Sequence, residues 1–389
     1  MPPYLAGRED EKIKFKRLLT QRPILTNMIL TGRRGVGKTV LLETLKPLAI
    51  AAGWLWVGTD LSEAASLTDE SIAVRLLADL SVVSSAIIAT STEEKSLGFT
   101  TDKTIVRQAL NFETLMARYN STPGLVADKL KSVLEFVWIC LAPQKKSGII
   151  FAYDEAQNLS DHADEQQFPL SLLLDVFQSI QRKDIPFMLA LTGLPNLFPK
   201  LVEARTFAER MFEIVQIDRL DNKASREAIL TPINTTPNCP VSLSDGLTNT
   251  IVERSGGYPY FIQFICREVF DVALQRLEVK EKPIVPLNEI IRKLDTDFFA
   301  GRWSKATDRQ RDLLVQIAKL DTCDSEFTIQ EIVEASKQSG GGSSFSSSHA
   351  NQLLNQLIDI GLVFKSRHGK YSLGVPLLAQ FISRWSASN

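Results

Sequence analysis

A chain of 389 residues with 44% hydrophobic and 23% charged residues has ordinary globular usage and room for two or three domains, which excludes disordered and fibrous classes. Its 44 Lys+Arg against 45 Asp+Glu leave a net charge of −1, so no surface that is basic all round grips nucleic acid, although a local basic patch remains open. No apolar run approaches the roughly 18 residues of a membrane span, Met1–Lys12 lacks the basic-then-apolar order of a secretory signal, and Cys140, Cys239, Cys266 and Cys323 show neither metal nor disulfide spacing; the expectation is a cytoplasmic protein with reduced thiols and no membrane partner.

In chain order, short apolar runs at Asn27–Gly32, Trp54–Thr59, Gly148–Tyr153, Pro186–Gly193 and Phe212–Asp218 alternate with segments of helical periodicity such as Leu170–Lys183. Fully apolar strands with helices between them predict a parallel sheet covered on both faces, an α/β fold. The segment Asp60–Lys146 exceeds one crossover and reads as a helical insertion. From Asp221 the strand signal stops and helices are predicted through Ile229, over Ser242–Arg254 and over Pro259–Leu274. Gly256-Gly257 closes one of them and Pro259 opens the next. Beyond the polar segment Glu278–Pro286, helices at Thr307–Leu320, Thr328–Lys337 and Ser348–Ile360 precede a hairpin of Leu362–Arg367 and Lys370–Leu373. A flexible Gly/Ser stretch, Ser339–Ser348, separates the last two helices. That order is the order of a winged helix. The division is 1–220 with an insertion at 60–146, 221–300, and 301–389. Trp54 and Trp56 read as packing, Trp303 and Trp385 as seals of the last part, and His162 as a solvated loop histidine or a partner sensor.

The sharpest feature is Gly32-Arg33-Arg34-Gly35-Val36-Gly37-Lys38-Thr39, with Val40 opening the following helix, which Pro47 ends or kinks. The spacing GxxxxGK[ST] between strand and helix is that of a loop whose amides cradle a triphosphate. Lys38 reaches the β- and γ-phosphates and the Thr39 hydroxyl ligates Mg²⁺. A second acidic site follows the apolar run Gly148–Tyr153. Asp154 and Glu155 are ionised groups at a buried strand end that need compensation, and a Mg²⁺–nucleotide provides it. In that reading Asp154 holds the metal's water shell and Glu155 polarises the attacking water; the alternative is an exposed acidic turn. Thr192 emerges from Leu189–Leu191 as either a γ-phosphate contact or a plain strand-end threonine.

These motifs together resemble the AAA+/STAND class of P-loop ATPases, close to archaeal-type STAND ATPases and origin-recognition initiator ATPases, over nearly the whole chain. Leu5–Glu11, with Gly7, Arg8 and Glu9, is similar to the GRxxE-like box that packs near the adenine in this class. The resemblance implies ATP and Mg²⁺ as cofactors, a strand order 5-1-4-3-2 counting the five predicted strands, and a helical lid over the nucleotide. Ser255–Tyr260, with Gly257 and Pro259, is similar to the GxP signature of the STAND group, where the lid touches the base. No arginine lies within Gly256–Ile262, which favours STAND over hexameric unfoldases. The class keeps an arginine, acting in cis or in trans, before the fifth strand; Arg210 is that candidate, Arg205 its alternative, and a solvated surface arginine the bland reading. Gly193–Leu197 also resembles ATPases that regulate transposition.

The resemblance thus implies an ATP-hydrolysing switch, and two readings of its last part stay open. In one, the wing residues Lys365, Arg367 and Lys370, with no acid from Gly361 to Gly374, contact the phosphates of double-stranded DNA. The outward set His349, Asn351, Gln352, Asn355 and Gln356 then faces bases without Lys or Arg. In the other, the protein is a STAND-type regulator whose winged helix binds protein, with nucleotide-dependent oligomers.

Overall fold

In a computed structural model, which describes residues 4–62, 64, 67–97, 100–279, 285–338, 344–367 and 369–388, the chain forms two compact units. One comprises Glu9–Thr31 and Lys38–Gln216; the other comprises the N-terminal residues through Arg8, Gly32–Gly37 and Ile217–Asn389.

The first unit is built on a sheet of β1 (Asn27–Thr31), β2 (Trp54–Val57), β5 (Gly148–Tyr153), β6 (Phe187–Gly193) and β7 (Phe212–Gln216), in the order β2-β5-β6-β1-β7 with every pairing parallel. Counted without the insertion, this is the expected order 5-1-4-3-2. Every residue of β1, β5 and β6 is buried, because both pleat faces are covered. Ile29, Phe151, Tyr153, Leu189 and Leu191 enter one core with the helices Asp69–Ser84, Phe112–Ser121, Val126–Leu141 and Pro169–Gln181. The helix Lys38–Ala51 packs against β1, β2 and β6.

Two local expectations are corrected. The insertion is not wholly helical: β3 (Ile88–Leu97) and β4 (Thr100–Ala109) pair antiparallel within it. Nor does Pro47 end the helix that follows the phosphate loop. Leu41, Leu42, Leu45 and Ala49 are all buried on one stripe, and that burial carries the helix past the missing amide donor.

The second unit begins with helices Asn222–Thr235, Asp245–Ser255, Pro259–Glu278 and Leu287–Leu294. Asp221 and Ser244 cap the first two, accepting from the amides of Ala224 and Leu247. Ala6, Leu220, Ile251, Ile262, Ile265 and Ile290 share its core. A π-helical turn, Asp295–Ala300, leads into Gly301–Trp303. Helices Asp308–Ala318, Ile329–Gln338 and Ser347–Asp359 and the antiparallel pair β8 (Val363–Arg367) and β9 (Lys370–Leu373) follow in the expected order. Phe327 adds a bridge to Tyr371. Trp303 and Trp385 are in ring contact at 5.1 Å, so they pack. Of the expected flexible stretch, 339–343 lie outside the described residues, as does His368; Phe345 is buried and ordered by its amide bond to Ser336 Oγ. Among the described residues no helix is long and apolar enough to cross a membrane, and the four cysteines are unpaired thiols.

A buried amide knot ties the sheet together. Asn27 Oδ1 accepts from the Leu189 amide and from Gln181 Nε2, both at 2.8 Å, while Asn27 Nδ2 donates to Met211 O at 3.2 Å. Asn27→Ala orphans these groups, each at a cost of about 1–3 kcal/mol. The expected outcome is a lower denaturation midpoint with unchanged slope in urea titrations; an unchanged midpoint would show that the knot contributes nothing.

Candidate functional site

The parallel register decides which residues leave the carboxyl edge of the sheet side by side. Thr31 lies beside Gly193, and Tyr153 beside Leu191. The ends of β1, β5 and β6 therefore leave that edge at neighbouring points, after Thr31, at Asp154-Glu155 and at Thr192. Such an edge is where open α/β sheets bind ligands.

Within the sheet unit Asp154 is 5% exposed. Its Oδ2 accepts from the Thr39 hydroxyl, its Oδ1 from the Thr192 hydroxyl and, at 2.8 Å, from the Glu155 amide. A carboxylate at a buried strand end is tolerable because three donors surround it. Glu155 is exposed, at φ 51°, a left-handed conformation uncommon for a residue with a β-carbon and frequent at functional sites. Its carboxylate accepts from Gln157 Nε2, and Gln157 Oε1 accepts from the Leu194 amide at 3.0 Å. Thr31 Oγ1 donates to Leu194 O at 3.0 Å, so the β6 exit is held from both sides. Lys200 Nζ donates to Gln157 O at 2.9 Å and Ser160 Oγ at 2.8 Å, and burial draws its pKa below the ordinary value. Gln157, Thr31 and Lys200 are contributors that the sequence did not reveal. Only the proximity of Gln157 to the acidic pair was a signal.

Within the other unit the loop Gly32–Gly37 turns on Gly35 at φ 78° and Gly37 at φ 89°, a region in which a side chain is strained. The Arg8 guanidinium is almost fully buried and donates to Val36 O at 3.1 Å and Asp218 O at 2.6 Å. Arg8 thereby holds the loop backbone. Gly35 O accepts from the Tyr260 amide at 3.2 Å, and Gly257 O from the Leu220 amide at 2.8 Å. Pro259 opens the helix whose next residue, Tyr260, makes that loop contact. Arg33 donates to Asp324 O at 3.0 Å. Lys38 and Thr39 start the helix Lys38–Ala51; Lys38 is 8% exposed. Within the sheet unit, the hard oxygen donors of Thr39, Asp154 and Thr192 suit Mg²⁺.

Among solved structures, the Aeropyrum pernix ORC2 protein in its ADPNP–ADP complexes matches over 100% of this chain and 97% of its own, with TM-score 0.51 and 12% identity. The chain shares the fold of that ORC2 protein. The A. pernix ORC1 protein in complex with DNA matches over 98% and 94% of the two chains (TM-score 0.48, 16% identity), and Cdc6p from Pyrobaculum aerophilum over 100% and 96% (TM-score 0.47, 14% identity). Residues 296–382 match a family model described as a Domain of unknown function (DUF8462). No curated protein matches the sequence.

Two expected groups stand differently from the rest. Arg210 lines a cavity with Pro23, Leu25 and Asp184, which precede β1 and β6, so it lies at the amino edge of the sheet, opposite Asp154 and Thr192. It therefore does not reach a phosphate bound at the carboxyl edge of its own chain. Arg205 is taken up by Asp175, bidentate at 2.7 and 2.8 Å, which raises its pKa. On the wing, Arg367 pairs with Glu326 at 2.8 Å, and Lys370 helps hold the Glu326 and Glu331 carboxyls below their usual range. Asn351 accepts from Tyr371 and Gln356 from Gln310, leaving Gln352 and Asn355 exposed on that helix.

Arg8→Ala removes the donor from the loop carbonyl of Val36 and from Asp218 O. Stability is expected to fall by about 1.5–3 kcal/mol, the range for hydrogen bonds to charged groups, with faster amide exchange across Gly32–Gly37. Exchange rates equal to wild type would show that Arg8 does not hold the loop.

Proposed function

We propose that the chain binds ATP with Mg²⁺ at Gly32–Val40 and hydrolyses it, acting as a switch that couples nucleotide state to a C-terminal winged helix in a chain divided as 1–220, 221–300 and 301–389. The observation that carries this is the meeting of Thr39, Asp154 and Thr192 through one buried carboxylate at the sheet's carboxyl edge. The loop amides and Lys38 bind and orient the triphosphate. Mg²⁺, held by the Thr39 hydroxyl with Asp154 on its water shell, neutralises charge on the phosphates. Glu155 polarises the attacking water, and Gln157 keeps its carboxylate in place. Thr192 already bonds to Asp154 and is poised to exchange that partner for a γ-phosphate oxygen. Arg8, Gly257 and Pro259 then act on the loop backbone and on the helix beside it. With Arg210 at the amino edge, an arginine role for it is one played in trans, in a nucleotide-dependent oligomer.

The ADPNP–ADP complexes of the ORC2 structure, which shares the fold, support the nucleotide reading. Lys38→Ala is expected to weaken ATP binding roughly a hundredfold, near the upper end of one charge-assisted contact. Glu155→Gln is expected to bind ATP and turn it over about 10²–10⁴-fold more slowly, the usual contribution of a positioned base. Normal turnover by Glu155→Gln removes Glu155 from the water-polarising role, and calorimetry without heat from ATP and magnesium ends the whole reading.

For the winged helix, double-stranded DNA is the first partner, through Lys365, Arg367 and Lys370. A second reading, a STAND-type regulator whose winged helix contacts protein, is favoured by the Arg367–Glu326 pair, which cancels part of the wing's charge. Under the DNA reading, Glu326→Gln releases Arg367. DNA-stimulated ATP turnover is then expected to rise and its salt dependence to steepen by about one counterion, while alanine at all three wing positions abolishes the stimulation. Turnover indifferent to DNA in every variant, with assembly on adding ATP and a protein partner, selects the second reading.

A further inference from the structure

A cavity of about 280 Å³ opens beside the second arginine of the phosphate loop. Its walls include Arg34, Asp297 and Phe298 of the π-helical turn, Arg302 and Lys305 beyond it, and Gly361, which follows the helix Ser347–Asp359. All of these residues belong to one compact unit. Three cations thus face a space with one carboxylate, and Asp297 also acts on Lys293, whose pKa it helps to raise. Neither Arg34 nor Lys305 has an ion-pair partner among the described residues. The Arg34 guanidinium is 3.6 Å from the point where a β-carbon on Gly361 would stand. Burial, with the Arg34 charge second, pulls the Arg302 pKa below its usual range.

Arg302 is held in place. Its guanidinium donates to Phe298 O at 2.5 Å and lies 4.0 Å above the Phe298 ring. That ring is in turn fixed among Tyr260, Phe261 and Phe299, at 4.9, 5.1 and 4.9 Å. Rotamer freedom is therefore already spent before any ligand arrives. Two guanidinium groups and an ammonium gathered around a single carboxylate, Asp297, leave an excess of positive charge whose cost an anion recovers. π-Helical turns are frequent at functional sites.

We propose that this cavity is a second anion site, which shares Arg34 with the triphosphate loop and takes a phosphate group through Arg34, Arg302 and Lys305. Guanidinium forks and a mobile ammonium match phosphate oxygens. The volume lies below that of pockets for drug-sized ligands, so the cavity takes a phosphate or pyrophosphate end and not a whole nucleotide. The shared chemistry has two sources, the backbone of DNA or a free phosphate. Because Arg34 stands between Gly32 and Gly35, an anion here pulls on the triphosphate loop itself; only this consequence rests on the nucleotide reading above.

The test is calorimetry with pyrophosphate and with a short DNA duplex, on full-length protein carrying Lys38→Ala so that the triphosphate loop contributes little. Lys305→Glu on that background is expected to weaken binding of at least one probe by about tenfold or more, a charge-assisted contact having become a repulsion. Lys305 is exposed, so its reversal spares the fold; Arg34→Glu, also at an exposed residue, is the second variant. Loss confined to pyrophosphate identifies a free phosphate as the ligand, and loss of duplex affinity with a shallower salt slope identifies the DNA backbone. Unchanged binding of both probes in both variants overturns the proposal. A Lys38→Ala protein that still binds ATP undoes the loop reading alone and leaves this comparison intact.

Discussion

A single buried carboxylate governs the sheet unit's chemistry. Asp154 stands where apolar strand meets polar edge, and an ionised group there is stable only if its lone pairs are met. The parallel register meets them with residues from chain segments more than 30 positions apart: Thr39 from the helix after β1 and Thr192 from the end of β6. Shift β6 by one residue and Thr192 turns to the other face of the sheet. Leu191, whose side chain belongs to the core, would then meet the carboxylate. The Asn27–Gln181 knot, which joins β1, β6 and the strand-leading Met211, guards that register from inside the sheet.

Much of this was legible because it is written locally. Strand limits followed from apolar runs, helix starts from Asp221 and Pro259, and the loop Gly32–Thr39 from glycines whose positive φ values the turn demands. What escaped was either non-local or locally ambiguous. Arg8 reads as part of a box near the adenine, yet its guanidinium bonds to a carbonyl 28 residues on and to another 210 residues on, distances that no motif spans. Gln157 looks like an ordinary loop amide until Leu194 is beside it. Ile88–Ala109 mixes β-formers with charges, and only pairing decides between strand and helix. Pro47 misled for the opposite reason: a strong local signal was overridden by burial of the helix face.

Long-range charge pairing also changes the charge that a local reading gives the C-terminal part. From Gly361 to Gly374 the sequence has basic residues and no acid, and the wing looks like a phosphate-binding edge. Glu326 sits 41 residues earlier in the chain and still meets Arg367. Exposed pairs of this kind contribute little to stability. Their effect on recognition is larger, because a cation already paired releases fewer counterions on meeting DNA.

Positive charge also gathers at Arg34, Arg302 and Lys305, which face the single carboxylate of Asp297. There one cation, Arg302, is also held in place by an aromatic cluster and a π-helical turn, whereas Lys365 stands exposed on a two-stranded ribbon. Affinity for an anion depends on charge and on how little freedom is lost in binding, and on the second count Arg302 exceeds the wing residues. If the C-terminal part senses phosphate, the physics favours the site adjoining the triphosphate loop over the one that the hairpin advertises. Partner and nucleotide would then be read by neighbouring residues of one loop, Arg34 for the first and Gly35–Thr39 for the second, with no coupling path needed beyond the loop's own backbone.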